Sequence, residues 1–513
     1  MSKSKHVTQV TNETSGSSDP TTVPPRRYVS RLVPHNSNVI TLLLMGTAAV
    51  QSVTMGYDGS MMNGLNILPS YTDYFNLSTA ALSLNTAAIW VGGMVAGFFA
   101  GQLCDWLGRK SVMFWGAVLS IIGVIIQTCA QNIAMFIVGR VIIGLAAGIS
   151  GVAAPTYMAE TSPVRWRSIM LGLYFDLWFM GGLIAAGITY GTQYILTTWA
   201  WRLPSLLQII PAVGCIAVLP FIPESPRWLA YQDRRDDAIE VLAVAHAWGD
   251  QSDPIVIIEY QEIIQTLEFE KIAGSVSPLE GFRTAGNRKR LLLMASVAIL
   301  SMTAGNNIAT YYLGTMLTQA GVTNTNTQLQ ISMIMSAWSL VLALVGTLFA
   351  EKLGRRKLGL ISQFFCILFL YLTGALSGLY SDGTNTSGSY ATVAMMFLFM
   401  GSYSFGWTPL TVLYPVEVLN YSTRAVGMGI YTFLANGVGL MITFAFPFAF
   451  EAIAWKTYMI NSTFTVLGFI FMYFYWVETK GRSLEEVDLL IDGVKHSDVP
   501  DISDVIDKKV SHV

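Results

Sequence analysis

Apolar stretches of about twenty residues, each bounded by short polar or charged turns, recur along almost the whole chain. A helix rises about 1.5 Å per residue, so such a stretch crosses a hydrocarbon layer of roughly 30 Å. The pattern predicts spans near 39–62, 83–103, 111–129, 134–156, 168–192 and 203–222, and again near 291–318, 328–349, 357–379, 391–414, 424–449 and 456–476. The expected architecture is an all-α membrane protein, with twelve transmembrane helices in two pseudo-symmetric six-helix halves, 38–222 and 291–477. Between them, 223–290 reads as a linker with short surface helices, because RRDDAIEVLAVAHAW and IIEYQEIIQTLEFEKI mix charged with apolar positions. Residues 1–37 are rich in Ser, Thr and Pro without an apolar run, which predicts a disordered N-tail and not a signal peptide. Residues 478–513 form the corresponding C-tail.

Composition agrees with this pattern and narrows the function classes. Hydrophobic residues make up 53% and charged residues 12%, against about 25% charged in soluble domains. The four cysteines lie in or at apolar segments and the five histidines lie outside them. Neither a disulfide framework, a metal site nor a membrane-embedded histidine relay is expected. No nucleophile–base constellation stands out, so the chain does not read as an enzyme, and no cofactor or nucleic-acid partner is expected. Of the 30 Lys and Arg residues, only Arg202 and Lys456 fall in one set of loops, and Arg140 lies inside a span. By the positive-inside rule, both termini and the linker are cytoplasmic. The sequons at Asn76 and Asn385 then fall in outer loops, where glycosylation is possible.

Charges inside spans are costly and mark function by default. Arg140 sits about six residues into an inward-running span, and Asp58 about nineteen into the outward-running first span. At 1.5 Å per residue both lie in the outer half of the membrane, where they can meet. Two readings follow: a static ion pair that fixes packing, or a carboxylate whose protonation changes as its partner moves. Asp176, near mid-membrane, has no obvious neutralising partner in the sequence. It reads as a hydrogen-bonded core residue, a substrate contact or a second protonation site.

The halves repeat one another. GQLCDWLGRK, with Asp105 and Arg109, recurs as TLFAEKLGRRK, with Glu351 and Arg355. Tyr157-Met158-Ala159-Glu160 with Arg167 recurs as Tyr414-Pro415-Val416-Glu417 with Arg424. PESPR, holding Glu224 and Arg227, is echoed by VETKGR, holding Glu478. Each pair is separated by roughly half the chain, which points to a duplication enclosing a central site. All these charges fall at cytoplasmic helix ends and predict a gating latch at the inner mouth.

GYDG (56–59), DWLGRK, PTYMAE…R, PESPRWL, GNNIATYY (305–312), LGRRK, YPVE…R and ETKGRSLEE together resemble the signature set of sugar porters of the major facilitator superfamily, in particular fungal hexose, lactose and cellodextrin permeases. The resemblance covers about residues 40–490. It implies twelve helices and alternating-access transport of a sugar, driven by its gradient or by protons. In proton-coupled members the acidic residue of the GYD motif pairs with the arginine of the fourth helix, here Asp58 and Arg140.

The substrate positions depart from that pattern. Ser301 and Met302 stand where the seventh helix of the family has glutamines, while Asn307 and Tyr311 remain. Phe175 replaces a fifth-helix glutamine, with Asp176 beside it, and Val412 replaces a tenth-helix tryptophan. Asn436 lies one position from an expected polar residue. Sugars need many hydrogen bonds in place of water. Either Asn306, Trp178, Trp338, Trp407 and Asp176 compensate, or the ligand is larger or less polar than a hexose. The chain reads as a plasma-membrane sugar carrier, with protons and the lipid bilayer as its other partners. The alternatives are a facilitative uniporter and a transporter-like nutrient sensor.

Overall fold

The computed structural model describes residues 32–34, 36–273, 285–380, 385–419, 421–480 and 491. Most of the two expected tails lies outside the described residues, as do the side chains of Arg167, Glu351 and Arg424. Every regular element among the described residues is helical.

Ten stretches are long and apolar enough to cross a membrane. In the first half these are Ser37–Ile67, Thr79–Gly97, Arg109–Thr128, Ile133–Thr161, Ile169–Thr192 and Trp199–Phe221. In the second half they are Thr325–Ala350, Arg355–Tyr380, Gly427–Ile453 and Lys456–Tyr475. The remaining two of the twelve helices are the seventh and tenth. The seventh, expected as one continuous span, is broken into Ala285–Thr303, Asn306–Tyr311 and Leu313–Gln319. Gly305 causes the first break, with a φ of +101° that a side chain would resist. The tenth, Thr386–Val418, is long but interrupted in hydropathy by Ser, Tyr, Gly and two prolines.

Helix starts follow capping chemistry. Asn36, Ser78, Asn132, Asn324 and Asn385 each accept a backbone N–H of the first turn they precede. Small residues then set how closely the helices pack. A Cβ on Gly92 would lie 2.1 Å from Val141 O, and one on Gly144 would lie 2.0 Å from Ile89 O, so the second and fourth spans pack backbone to backbone. In the other half a Cβ on Gly346 would lie 1.9 Å from Phe405 O, where the eighth span meets the tenth.

Among the contacts that join the halves, two seams stand out. The second span meets the eleventh at Gly93 and Asn436 and at Gly97 and Phe433, and the fifth meets the eighth at Gly172 and Thr347. The linker forms helices Pro226–Tyr231, Arg235–His246 and Pro254–Ala273. It is pinned to the first half: Ser37 Oγ donates to Val244 O (2.9 Å), and the His246 ring contacts both Glu259 and the carbonyl of Thr161.

Candidate functional site

The repeated charged motifs come together at one end of the molecule as two matching clusters. Gly108 and Gly354 turn the chain with φ of +88° and +91°, and a new helix starts at the arginine that follows each. The first backbone N–H groups of a helix lack partners within it and favour an anion. Glu224 takes the N–H of Lys110 (3.2 Å), and Glu478 takes those of Arg355 (2.8 Å) and Arg356 (3.2 Å). Arg109 pairs with Glu160 (3.0 Å) and Asp105 (3.3 Å). Arg355 grips Glu417 through two nitrogens, Nε at 3.0 Å and Nη2 at 2.6 Å.

Two hydroxyls that sequence reasoning missed, and the tyrosines of the repeated motif, complete each cluster. Ser225 Oγ donates to Glu160, and Thr479 Oγ1 donates to Glu417 (2.6 Å). Tyr157 and Tyr414 donate to the carbonyls of Pro223 (2.7 Å) and Val477 (3.1 Å). A hydroxyl immediately after each motif glutamate was the available signal. Arg227 lies near enough to Asp105 to attract it. Burial pushes the Asp105 and Glu224 carboxyls above the usual carboxylate range; Arg109 opposes this at Asp105, and the Ser225 and Lys110 N–H groups oppose it at Glu224. The repeated charges thus form one charged knot within each half, built from neighbouring helices of that half.

The structure brings Asp58 and Arg140 together, both buried, but not as carboxylate and guanidinium. Arg140 Nη1 donates to the backbone carbonyl of Asp58 (2.9 Å). The Asp58 carboxylate instead accepts from Gln208 Nε2 (2.9 Å), whose own carbonyl is held by Gln127 (3.1 Å). Gln208 falls where the sixth span changes from Trp199–Leu207 to Ile209–Val218. The other two nitrogens of Arg140 are buried without a hydrogen-bond partner. A cation left so poorly satisfied is ready for another arrangement. On its other side Asp58 borders a space of about 310 Å³ within the first half, lined also by Gln51, Thr54, Ser120, Ser150 and Cys215.

A second space, of about 460 Å³, lies between the halves. It is bounded by Ser60 and Asn63 of the first span, Trp178 and Phe179 of the fifth, Ala309 and Thr310 of the seventh, Ser332 to Ser339 of the eighth, and Met400 of the tenth. Its position between two pseudo-symmetric halves suits a transported ligand.

The sugar (and other) transporter family profile matches residues 44–490. The chain belongs to that family. This sugar transporter is 30% identical over 478 residues to the MFS glucose transporter mfs1 of Aspergillus flavus, covering 88% of this chain and 89% of that protein. It is 29% identical to the high-affinity glucose transporter of Kluyveromyces lactis, over 89% and 85% of the two chains. Among solved structures it superposes on the major facilitator proton:xylose symporter XylE with a TM-score of 0.76, at 20% identity, covering 89% of this chain and all of that one. The fold is therefore the twelve-helix major facilitator fold, and the molecule is a multi-pass membrane transporter, not an enzyme.

Within this transporter, none of the six residues expected to bind solute borders the cavity between the halves; Trp178 does. Trp407 is fully buried inside the second half, where its indole donates to Gln363 (2.7 Å) and its ring packs on Trp476. Asn436 donates to Thr432 O (2.7 Å) at the seam with the second span. Asn307 is buried and faces the sulfur of Met302 (3.9 Å), and Asn306 has a buried, unpartnered carbonyl oxygen. Tyr311 packs on Trp90, and its carbonyl accepts from Asn66 (3.4 Å). Asp176 is fully buried at the seam beside Thr347, with both oxygens free of any well-formed hydrogen bond. Trp338 bonds the carbonyl of Phe397. Sequence gives a residue's depth along a helix but not its azimuth around it, which is why these assignments missed the cavity. Both sequon asparagines are exposed: Asn76 ends the helix Pro69–Phe75, and Asn385 caps the tenth span. No cluster able to hold a metal occurs among the described residues.

Proposed function

We propose that this transporter carries a neutral sugar or sugar-like solute by proton symport, through alternating access of the cavity between its halves. The observation that carries the reading is the buried Asp58, held by Gln208 while Arg140 beside it is only partly satisfied. A rotation of either side chain brings the ionised carboxylate into a direct ion pair with Arg140, and protonation, by removing its charge, breaks that pair. That pair of arrangements couples proton binding to helix position. The relatives described as glucose transporters and the neighbour described as a proton:xylose symporter support both parts of the reading. The two charged knots act as gates at the cytoplasmic mouth. The Lys and Arg distribution supports cytoplasmic termini, which leaves Asn76 and Asn385 on the opposite side, open to glycosylation if the chain resides in the plasma membrane.

The test is Asp58→Asn. An amide mimics the protonated acid, so this variant is expected to lose concentrative uptake while keeping exchange between equal solute pools. Accumulation at the wild-type level would refute symport through Asp58.

A further inference from the structure

We propose that the space inside the first half holds water and carries the proton released by Asp58 toward the end of the molecule where the charged knots lie, so that proton and solute travel by different ways. This rests on the proton-symport reading above and adds a route to it.

Gln51, Thr54, Met55 and Asp58 stand at positions i, i+3, i+4 and i+7, share one face of the first span, and all line this space. Ser60 and Asn63 of the same span line the solute cavity instead, and the two spaces have no lining residue in common. From Asp58 the lining continues toward the knots. Gln51 lies seven residues nearer to them along the first span, Cys215 seven residues beyond Gln208 along the sixth, and Ser150 ten residues beyond Arg140 along the fourth. At 1.5 Å per residue the space reaches roughly 10 Å from the carboxylate toward that end.

Its polar groups suit water. Ser120, from the third span, is buried, and its hydroxyl has no hydrogen-bond partner. With the Asp58 carboxyl on the same space, it offers a water two partners. Thr54 donates to the carbonyl of Val50 (2.7 Å) and keeps its oxygen as an acceptor. At the far end Gln51 Nε2 donates to Cys215 Sγ (2.9 Å). Sulfur is a weak acceptor, so this contact closes the space at little energetic cost to opening it.

On release, the Asp58 carboxyl O–H breaks and its proton passes to a water bonded to Ser120. That water hands one of its own protons on, so a carboxylate and a departing hydronium balance the step. The carboxylate is then the one that Gln208 holds. No group of the solute takes part.

The first arm of the test needs no solute. It uses the full chain with Cys104, Cys129 and Cys366 replaced by Ser, in membrane vesicles of known orientation. The probe is Ag⁺, a small cation that moves through water but not through packed side chains; its reaction is read as lost maleimide labelling of Cys215 after denaturation. Ag⁺ is expected to reach Cys215 from the knot side only, and Ala147→Leu, which fills the space, should slow the reaction at least tenfold. The second arm compares D-glucose uptake driven by a pH gradient with exchange between equal pools, in liposomes. Ser120→Ala should lower the ratio of net uptake to exchange at least fivefold, because exchange needs no proton release. Cys215 left unreacted in folded, monodisperse protein marks a dry packing gap and overturns the inference, as does reaction from the opposite side. A Ser120→Ala ratio equal to that of the wild type overturns it too, whether both rates fall together or neither changes. These results leave symport intact. Wild-type protein that takes up no D-glucose, or ignores the pH gradient, overturns the functional reading and the inference with it.

Discussion

At Gly108 the chain needs two things that only glycine offers. Its φ of +88° with ψ of 156° lies where essentially only glycine goes, at a cost of about 1–3 kcal/mol for other residues, and a Cβ there would lie 2.7 Å from Glu224 Oε2. Gly354 repeats both, with φ of +91° and a Cβ position 2.6 Å from Glu478 Oε2. Each glutamate would have to retreat from the helix start it caps, losing charge-assisted bonds as well. Gly108→Ala and Gly354→Ala are therefore each expected to destabilise the solubilised protein by about 2–4 kcal/mol. The check is thermal unfolding in detergent; an unchanged midpoint for either variant would show that the turn relaxes without cost. At this scale the motifs were legible, because LGRK and LGRRK name the turn and the arginine together. The caps were not, because Glu224 and Glu478 lie more than a hundred residues away in sequence from the helix starts they serve.

Between elements, helix approach is governed by what stands at the crossing. At Gly144 a Cβ would sit 2.0 Å from the carbonyl oxygen of Ile89, an atom that cannot move without shifting the second span. Gly144→Val should therefore abolish correctly folded protein, as judged by size-exclusion profile and yield, since overpacking against backbone has no side chain to yield. Gly101 is the control. It lies in the helix Ala100–Leu107 with nothing within 4 Å of its Cβ position. Gly101→Ala should be neutral or stabilising by up to about 1 kcal/mol, because alanine has the better helix propensity. Normal yield from Gly144→Val would mean that the two spans separate more readily than their backbone contact implies.

For the whole molecule, the alternating access proposed above requires the seams between halves to part. At the seam of the second and eleventh spans, a Cβ on Gly97 would lie 3.4 Å from that of Phe433, close to the ~3.5–4.5 Å found in disulfides. In a background lacking the four native cysteines, Gly97→Cys with Phe433→Cys should cross-link on mild oxidation. Uptake is expected to fall by at least tenfold on oxidation and to recover with reductant, while each single variant transports regardless of redox state. Full transport by the cross-linked protein would mean that this seam stays shut through the cycle.

The sequence by itself determined the membrane class, the twelve helices, the two-fold repeat and the repeated charged motifs. These follow from local hydropathy and from motifs that the duplication wrote twice, and neither needs knowledge of how helices pack. It also brought Asp58 and Arg140 to one depth, since depth is a sum of residue rises along straight helices. Only the tertiary structure decided what those groups touch. Rotation about each helix axis and the break in the sixth span placed Gln208, not Arg140, on the Asp58 carboxylate. The same rotational freedom buried Trp407 against Gln363 and turned Ser332, Ser339 and Trp178 toward the cavity. Azimuth is fixed by which small residues let which backbones meet, as at Gly92, Gly144 and Gly346. It is a property of helix pairs, and no single stretch of sequence records it.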